Sequence, residues 1–288
     1  MSFRLITWNI QWGRGCDGRV DLARIVATAR ALADFDVLCL QEVADNFPEM
    51  PGSRGEDQPR ELAELLPGYE PVFAPGTDLR ADDGTRRRFG NMILSRLPVL
   101  RVARHLLPWP ADAVKRSMQR VLVEAVIAAP WGPVRAMTTH LEYYSARQRA
   151  AQGERILELH AETCARADLP PPAPDSAGPF RAPPPPKSAI LTADFNFRVD
   201  DPLHARLTAP LGSGVPALRD AWEVWRPDVA HPPSLGLYDK TQWPGEPFCC
   251  DFIYVTEDLA PRVRRVHYDA GSDASDHQPV LLELAADH

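Results

Sequence analysis

The chain has 288 residues, and its hydrophobic fraction of 44% and charged fraction of 25% are ordinary for a globular protein. Its net charge of −7 argues against a surface that coats nucleic acid, but it does not exclude a nuclease, because bound metal neutralises acids at a site. The five cysteines form no disulfide framework and no paired zinc motif. The first predicted strand begins by Phe3 and no apolar run is long enough for a membrane span, so we expect no secretory signal and a cytoplasmic location.

The first half of the chain is predicted to contain strands and amphipathic helices. Apolar residues between 22 and 32 recur at helical spacing, and Asp21 is suited to cap that helix. The apolar run at 37–40 predicts a strand that is buried on both faces. The predicted strands are 3–10, 36–43, 71–74, 91–95, 99–107 and 120–127, and the predicted helices are 22–32 and 61–66.

A charged connection is predicted at residues 76–90, between two of these strands. It contains Arg86, Arg87 and Arg88. A solvated hairpin tip is the favoured interpretation, since charge runs usually face water. A basic loop that faces the substrate is the alternative.

The second half begins with a strand at 134–141 and a long helix from the cap Ser145 to about Ala167. Residues 170–186 contain two runs of consecutive prolines, so we expect an extended or disordered loop outside the core. A partner-docking motif is an open but less favoured interpretation of that loop. The remaining predictions are a short helix at 201–207, a mostly irregular span to 247, and strands at 249–255, 263–268 and 280–284.

Polar side chains occur at the end of a buried strand that starts at Ile190. Asp194 and Asn196 alternate with Phe195 and Phe197, so the polar groups are expected on one side and the rings on the other. Taken alone, such a pair is more often a turn or a cap than a catalytic pair. The functional interpretation is strengthened because other predicted strand ends carry matching groups, namely Asn9, Glu42, His140 and Asp276-His277.

These motifs, in this order, resemble those of the endonuclease/exonuclease/phosphatase superfamily, whose best-known members are deoxyribonuclease-I-like nucleases. The resemblance runs from Trp8-Asn9 to Ser275-Asp276-His277 and includes Asp220-Ala221-Trp222, so it covers the whole chain. It implies one catalytic domain over residues 1–288. It also implies an α/β four-layer sandwich, in which two mixed β-sheets pack face to face with helices outside.

A metal site is predicted from the oxygen-bearing side chains Asn9, Glu42 and Asp276. Magnesium prefers such a site, because it needs only one or two carboxylates and keeps several waters, and Mn²⁺ is expected to substitute. A lone acidic residue usually caps a helix or forms a surface salt bridge. Glu42, however, follows an apolar strand, where a carboxylate is not expected unless it has a specific role. The resemblance likewise implies that Asn9 and Glu42 hold the metal, with Asp276 beside them. Whether one or two ions act together stays open.

The resemblance also assigns catalytic roles. It implies that Asp251 orients His277, which fixes the tautomer of the imidazole and raises its basicity. Asp194 is expected near the attacking water, with Asn196 and His140 donating to the phosphate. Whether Asp194 or His277 takes the proton is left open.

Three further residues are predicted to serve the substrate pocket. The resemblance implies that Arg120 contacts phosphate, although an arginine at a strand end is commonly solvated. Asn91, in Gly90-Asn91-Met92-Ile93-Leu94-Ser95, fits a family motif and is expected to support the site. Tyr144 is expected either to line the pocket or to pack in the core.

The predicted function is Mg²⁺-dependent hydrolysis of phosphoesters by in-line attack of water. A nuclease or phosphodiesterase is the first choice, and nucleic acid is then among the substrates. A small-molecule phosphatase or phosphodiesterase, of the inositol-phosphate or phospholipid-headgroup type, is the alternative. An inactive binding module of the same fold is disfavoured because every expected polar position is filled. No obligate protein partner is expected.

Overall fold

The computed structural model describes residues 2–173 and 175–286. Within these residues the strands are β1 (Ser2–Asn9), β2 (Val37–Asp45), β3 (Glu70–Arg80), β4 (Arg86–Ser95), β5 (Val99–Leu106), β6 (Val121–Ala129), β7 (Gly132–His140), β8 (Ala189–Asp194), β9 (Leu218–Asp220), β10 (Asp251–Thr256), β11 (Val263–Tyr268) and β12 (Val280–Ala285). The α-helices are α1 (Leu22–Leu32), α2 (Gln58–Leu65), α3 (Ala146–Ala167), α4 (Pro202–Thr208) and α5 (Ala221–Trp225). None of the helices in these two ranges is long and apolar enough to cross a membrane.

The strands form two mixed six-stranded sheets. The first has the order β11-β12-β1-β2-β4-β3, and the second has the order β5-β6-β7-β8-β10-β9. β1 pairs in parallel with β2, and β7 pairs in parallel with β8, whereas the other pairs are antiparallel. The predicted α/β sandwich of two mixed sheets with helices is confirmed.

The alternation of β1 divides the apolar residues between two cores. Phe3 and Leu5 belong to the core that contains residues of both sheets, whereas Ile6 and Trp8 lie in the core beneath α1 and α2. This division follows from the two-residue period of a strand, which sends neighbouring side chains to opposite faces. Asn9 therefore faces the inter-sheet side, like Phe3 and Leu5.

Two helix starts agree with the sequence. Asp21 accepts a hydrogen bond from the backbone N–H of Arg24 at the start of α1, and Ser145 accepts one from Gln148 at the start of α3. Each cap satisfies a backbone donor that has no partner inside its helix, which is typically worth about 1 kcal/mol. Both predicted caps are confirmed.

The connection predicted at 76–90 is wrong in its extent, because β3 and β4 continue to a short tip at residues 81–85. The antiparallel pairing of β3 with β4 extends through these charged residues. Their side chains lie on an exposed hairpin, where polar groups are tolerated on both faces. All three arginines lie in β4, and each is engaged in an ion pair: Arg86 with Asp78, Arg87 with Glu49, and Arg88 with Asp45. The alternative of a free basic loop facing the substrate is not supported by these contacts.

The proline-rich segment at 170–186 includes Pro174, which lies outside the described residues. Its described residues are exposed or half-buried. The prolines predict a segment without helix, but Gly178–Arg181 forms a 3-10 turn, which needs few backbone donors. At its end, the carbonyl of Pro186 accepts a hydrogen bond from Nε of buried Arg135.

Candidate active site

The ends of the parallel strands bring the predicted polar residues to one edge between the sheets. Asn9 is the last residue of β1, and His140 and Asp194 are the last residues of β7 and β8. Asp251 begins β10 directly opposite Asp194 in the antiparallel ladder. His140 and Asp194 meet because β7 and β8 are parallel neighbours in one sheet, and Asn9 reaches them from the end of β1 in the facing sheet.

The first and last motifs of the chain are joined by direct hydrogen bonds. The indole Nε1 of Trp8 donates to the carbonyl of His277 at 2.8 Å, and the hydroxyl of Ser275 donates to the carbonyl of Asn9 at 2.8 Å. These bonds fix the backbone before β12 against the end of β1. They place the imidazole of His277 among the carboxylates at this edge.

His277 lies between two carboxylates. Its Nδ1 is 2.8 Å from Oδ2 of Asp251, and its Nε2 is 3.6 Å from Oδ2 of Asp194. Burial opposes the charged imidazole, but the negative charges of Asp251, Asp194 and Asp276 outweigh burial and raise the pKa of His277 well above its usual value. The geometry favours a protonated imidazole at neutral pH.

Asp194 is at the centre of the polar cluster. Its Oδ2 accepts a hydrogen bond from Nδ2 of Asn9 at 2.9 Å, and its Oδ1 accepts one from the backbone N–H of Asn196 at 3.0 Å. Burial, followed by repulsion from Asp251, raises the pKa of Asp194 to about 6, although His277 and Asn9 oppose the shift. A carboxyl with a pKa near neutrality is suited to take up a proton.

Glu42 lies at an irregularity of β2. The register of β2 with β4 shifts between Leu40 and Val43, and Glu42 has a positive φ of 60°. For a residue other than glycine this conformation typically costs roughly 1–3 kcal/mol, so it persists only where the surrounding structure imposes it. The bulge turns a carboxylate that a regular strand would direct elsewhere toward the site.

The electrostatics of Glu42 fit a cation. Its Oε1 accepts a hydrogen bond from Nδ2 of Asn9 at 3.1 Å, and its side chain is 18% exposed. Burial and then repulsion from Asp276 raise the pKa of Glu42 to about 7. A divalent ion beside Glu42 and Asp276 would relieve this repulsion, and the side-chain oxygens of these residues and Asn9 suit magnesium.

Asp276 has two partners that the sequence analysis missed. Nε1 of Trp243 donates to its Oδ2 at 2.9 Å, and Nε2 of Gln11 donates to the same oxygen at 3.1 Å. Gln11 was inside the first motif, two residues after Asn9, so its polar side chain was a usable signal. Trp243 gave no such signal, because it lies in an irregular span 33 residues before Asp276.

His140 and Asn196 face the same space. Nδ2 of Asn196 is 2.9 Å from Nε2 of His140, and that nitrogen is 3.4 Å from Oδ2 of Asp194. Burial, followed by the positive charges of Arg120 and His277, lowers the pKa of His140 well below its usual value, which favours the neutral imidazole. As predicted, the neighbouring rings of Phe195 and Phe197 are buried in the core.

Arg120 is buried rather than solvated at its strand end. Its Nη2 donates to Oε2 of Glu142 at 3.2 Å, and within the described chain its buried Nη1 has no hydrogen-bond partner. Glu142 was not singled out from the sequence, although it lies two residues after His140. Nη1 therefore has donor capacity that no described group uses.

Asn91 and Tyr144 lie at the margin of the polar cluster. Nδ2 of Asn91 donates to the carbonyl of Val121 at 2.8 Å, next to Arg120, and this contact is compatible with the supporting role that was predicted for Asn91. Tyr144 is 62% exposed, so core packing is wrong for this residue. Its neighbour Tyr143, not Tyr144, lines the cavity beside the site.

A cavity of about 610 Å³ opens beside the polar cluster. Its charged lining consists of two bases, Arg149 and Arg198, and three acids, Asp200, Asp201 and Glu246. The guanidinium of Arg198 lies 4.0 Å from the centroid of the Phe248 ring. A volume of this size matches ordinary small-molecule sites. The lining includes Tyr143, Arg149, Asn196, Arg198, Trp243 and Phe248.

Comparison with solved structures identifies several similar chains. An endonuclease/exonuclease/phosphatase from Beutenbergia cavernae DSM 12333 has a TM-score of 0.67 and 25% identity, covering 98% of this chain and 71% of that chain. A mannosyl-6-phosphatase of Bacteroides thetaiotaomicron VPI-5482 has a TM-score of 0.66 and 18% identity, covering 98% and 99%. D. rerio TDP2, complexed with a single-strand DNA product, has a TM-score of 0.63 and 20% identity, covering 99% of both chains. No curated protein sequence matches this chain.

The two mixed sheets and the carboxylate–histidine cluster at their edge define a phosphoester hydrolase of the deoxyribonuclease-I-like class. The family model described as Endonuclease/Exonuclease/phosphatase family matches residues 6–277, and the chain belongs to this family. Enzymes of the family typically depend on divalent metal ions.

Proposed function

We propose that this chain is a Mg²⁺-dependent phosphodiesterase, with nuclease activity on short or single-stranded substrates as the first candidate. The observation that carries the proposal is the position of Asp194, within hydrogen-bond reach of Asn9 and close to both His140 and His277. A carboxylate so placed can orient and deprotonate a water beside a phosphate that the neighbouring groups bind.

Asn9, Glu42 and Asp276 would hold the metal, and Mn²⁺ is expected to substitute for Mg²⁺. The bound ion would neutralise charge on the phosphate oxygens as the reaction proceeds. Support comes from the raised pKa of Glu42, since a carboxyl destabilised by burial and by Asp276 is stabilised by a nearby cation. Trp243 and Gln11 would position Asp276 by donating to its Oδ2.

Asp194 is our choice for the general base, and His277 is our choice for the cationic donor. The pKa of Asp194 is raised to about 6, so it is ionised at neutral pH and still basic enough to accept a proton. The pKa of His277 is raised well above its usual value, so its Nε2 carries a proton toward the phosphate. Arg120, His140 and Asn196 complete the proposal as ligands of phosphate oxygens.

A small phosphoester is the second candidate substrate, and two observations favour it. The basic residues of β4 are engaged by acids, so Arg86, Arg87 and Arg88 are poorly available to a polynucleotide backbone. The cavity of about 610 Å³ accommodates one leaving group of moderate size. Chains that share the fold include both a sugar phosphatase and a protein that carries single-strand DNA product, so the fold does not choose between the candidates.

The test compares an oligonucleotide with a bis-aryl phosphodiester while Mg²⁺ and salt are varied separately. A metal-dependent phosphodiesterase loses turnover of both in EDTA and regains it with Mg²⁺ or Mn²⁺. If the natural substrate is a polymer, kcat/KM for the oligonucleotide should also fall steeply as the salt concentration rises, because contacts with several phosphates release counterions. If only the small ester is turned over at every salt concentration, the nuclease proposal is rejected in favour of a small-phosphoester hydrolase.

Full activity in excess EDTA, or rescue by zinc alone, would contradict the magnesium proposal. The matched control is Asp194→Asn, which should lose turnover of both substrates while keeping its melting temperature near that of the wild type. No turnover of any phosphoester by the folded wild-type chain would favour a binding module.

A further inference from the structure

A second group of metal-ligating side chains lies outside the candidate active site. His204 is in α4, Asp220 ends β9, Glu223 is in α5, and His231 follows α5 in an irregular segment. One ligand atom from each of the four residues lies within 4.8 Å of those from the others. We call this group the β9–α5 cluster.

The two imidazoles of the β9–α5 cluster converge on one carboxylate oxygen. Nε2 of His204 and Nε2 of His231 each lie 3.0 Å from Oδ2 of Asp220. At zinc–ligand distances of about 2.0–2.1 Å, the ligand atoms of a tetrahedral site are about 3.3 Å apart. These two pairs are therefore within a few tenths of an ångström of the spacing that a tetrahedral ion requires, and the other ligand atoms of the cluster lie within 4.8 Å.

The capping role of Asp220 explains only part of the β9–α5 cluster. Its Oδ1 accepts hydrogen bonds from the backbone N–H groups of Trp222 and Glu223, so this oxygen caps α5. The cap does not require Oδ2, either imidazole, or the carboxylate of Glu223. A metal site accounts for all of these groups at once.

The surroundings of the cluster suit a closed structural site with one accessible edge. The side chains of His204, Asp220 and His231 are 7%, 1% and 5% exposed. The ring of Phe252 contacts both imidazoles, with centroid distances of 5.3 Å to each. Glu223, which is exposed, and His231, which is partly buried, line a cavity of about 650 Å³, which offers an access route for an ion.

We propose that the β9–α5 cluster binds a structural Zn²⁺ ion through Nε2 of His204, Nε2 of His231 and the carboxylates of Asp220 and Glu223. Two neutral imidazoles and two carboxylates balance the charge of one divalent ion. Mixed nitrogen and oxygen ligands in a tetrahedral arrangement suit zinc, whereas magnesium requires octahedral oxygen coordination. Each neutral imidazole would bind the ion through an unprotonated Nε2 and carry its ring proton on Nδ1, so binding requires this tautomer and no net release of protons.

Zinc at this position would fix a segment that reaches Asp251, the hydrogen-bond partner of His277. Ser234 lies three residues after His231, and its hydroxyl donates to Oδ2 of Asp251 at 2.6 Å. The same hydroxyl accepts from the backbone N–H of Asp251 at 3.1 Å. The bound ion would therefore hold in place the segment that contains Ser234, and Ser234 in turn holds Asp251.

The experiment measures zinc content and thermal stability of the full chain. The chain is stripped with chelator, saturated with Mg²⁺ to occupy the candidate active site, incubated with Zn²⁺ and dialysed. We expect one zinc per chain and a higher melting temperature, because zinc binds the folded state preferentially. In a parallel sample, Co²⁺ should give the visible absorption of a tetrahedral site.

Four variants locate the ion. His231→Gln and Glu223→Gln should each weaken zinc binding at least about 10-fold and abolish the melting-temperature shift. His267→Gln, a histidine in β11 outside both sites, and Glu42→Gln, which alters the candidate magnesium site, should both retain zinc. If His231→Gln does not fold, Glu223→Gln decides, because the side chain of Glu223 is exposed.

Three results would overturn the zinc proposal. The first is a wild-type chain that retains no zinc under these conditions. The second is retention of zinc by Glu223→Gln and by any folded His231→Gln. The third is loss of zinc in Glu42→Gln, which would place the ion in the candidate active site, where Asp194, Cys250 and His277 also converge.

Discussion

Nδ1 of His277 and Oδ2 of Asp251 lie 2.8 Å apart, although the two residues are separated by 26 positions in the chain. Asp251 begins β10, so its carboxylate is fixed by the sheet, and Ser234 holds the same oxygen at 2.6 Å. This contact leaves Nε2 of His277 directed at Asp194, 3.6 Å away. The carboxylate thus sets both the orientation and the charge of the imidazole.

Removing either member of this pair should impair catalysis. We expect His277→Ala and Asp251→Asn each to lower kcat by roughly 10²–10⁴-fold, the range for a positioned acid–base group. The double variant should lose little more than the worse single variant, because Asp251 acts through His277. Steady-state kinetics on a bis-aryl phosphodiester measure the effect, and thermal melts establish folding. Near-normal turnover by folded His277→Ala would contradict the role.

Magnesium binding should depend on pH through Glu42. Its pKa is raised to about 7 by burial and by Asp276, so the carboxyl is protonated below that value and ionised above it. Protons therefore compete with the ion, and the Mg²⁺ concentration needed for half-maximal activity should rise as pH falls through about 7. Glu42→Gln should weaken Mg²⁺ binding at high pH and flatten its pH dependence. The exposed Glu64→Gln serves as the control, and an unchanged Mg²⁺ requirement in Glu42→Gln would refute the assignment.

The indole of Trp243 should position Asp276 for the metal. Trp243→Phe keeps an aromatic ring but removes the Nε1–H that donates to Oδ2 of Asp276 at 2.9 Å. We expect Mg²⁺ affinity to fall roughly 10–100-fold, the usual effect of losing a partner of a metal ligand, with a smaller change in kcat at saturating Mg²⁺. Trp109→Phe, at an exposed tryptophan whose Nε1 donates to Ser117, is the matched control. Equal Mg²⁺ affinities in the two variants would rule out this positioning role.

A buried histidine outside the site should make the fold sensitive to acid. Burial, followed by repulsion from Arg135, lowers the pKa of His160 to about 4 from its usual 6.5. The unfolded chain therefore binds the proton at a higher pH than the folded chain, and stability is lost as pH falls from 6.5 toward 4. This shift of the His160 pKa corresponds to a loss of at most about 3 kcal/mol in the free energy of unfolding.

Urea unfolding across that pH range would measure the contribution of His160. The wild-type chain should lose stability steadily below pH 6.5, whereas a folded His160→Gln variant should show a shallower slope. His267→Gln should follow the wild type. Parallel slopes for the wild type and His160→Gln would contradict the assignment.

Part of the proline-rich segment should be replaceable. The residues from 175 to 183 are exposed or half-buried, and Phe180 is 82% exposed. Substituting residues 175–183 with a Gly/Ser linker of equal length should leave the melting temperature nearly unchanged, since little apolar surface is buried there. Pro186 is kept in this variant because its carbonyl accepts from Arg135. A large drop in the melting temperature by calorimetry would show that the segment stabilises the fold.

The sequence alone determined the family, the order of the main strands, and which polar residues gather at the strand ends. Those features depend on short-range patterns: alternation in a strand, helical spacing, capping residues, and motifs in a fixed order. Asn9, His140 and Asp194 were predicted near strand ends, and they are the last residues of β1, β7 and β8. Their catalytic roles stay predictions.

The tertiary structure decided features that depend on contacts between distant segments. The bulge of β2 that turns Glu42 inward has no local signature, because it arises from pairing with β4. Trp243 reaches Asp276 only through the path of an irregular span, which no periodic pattern encodes. The same physical reason explains why Arg86, Arg87 and Arg88 looked free in sequence yet are paired: their acidic partners are set by hairpin register and packing. His204 and His231 likewise share Asp220 only after α4, β9 and α5 come together.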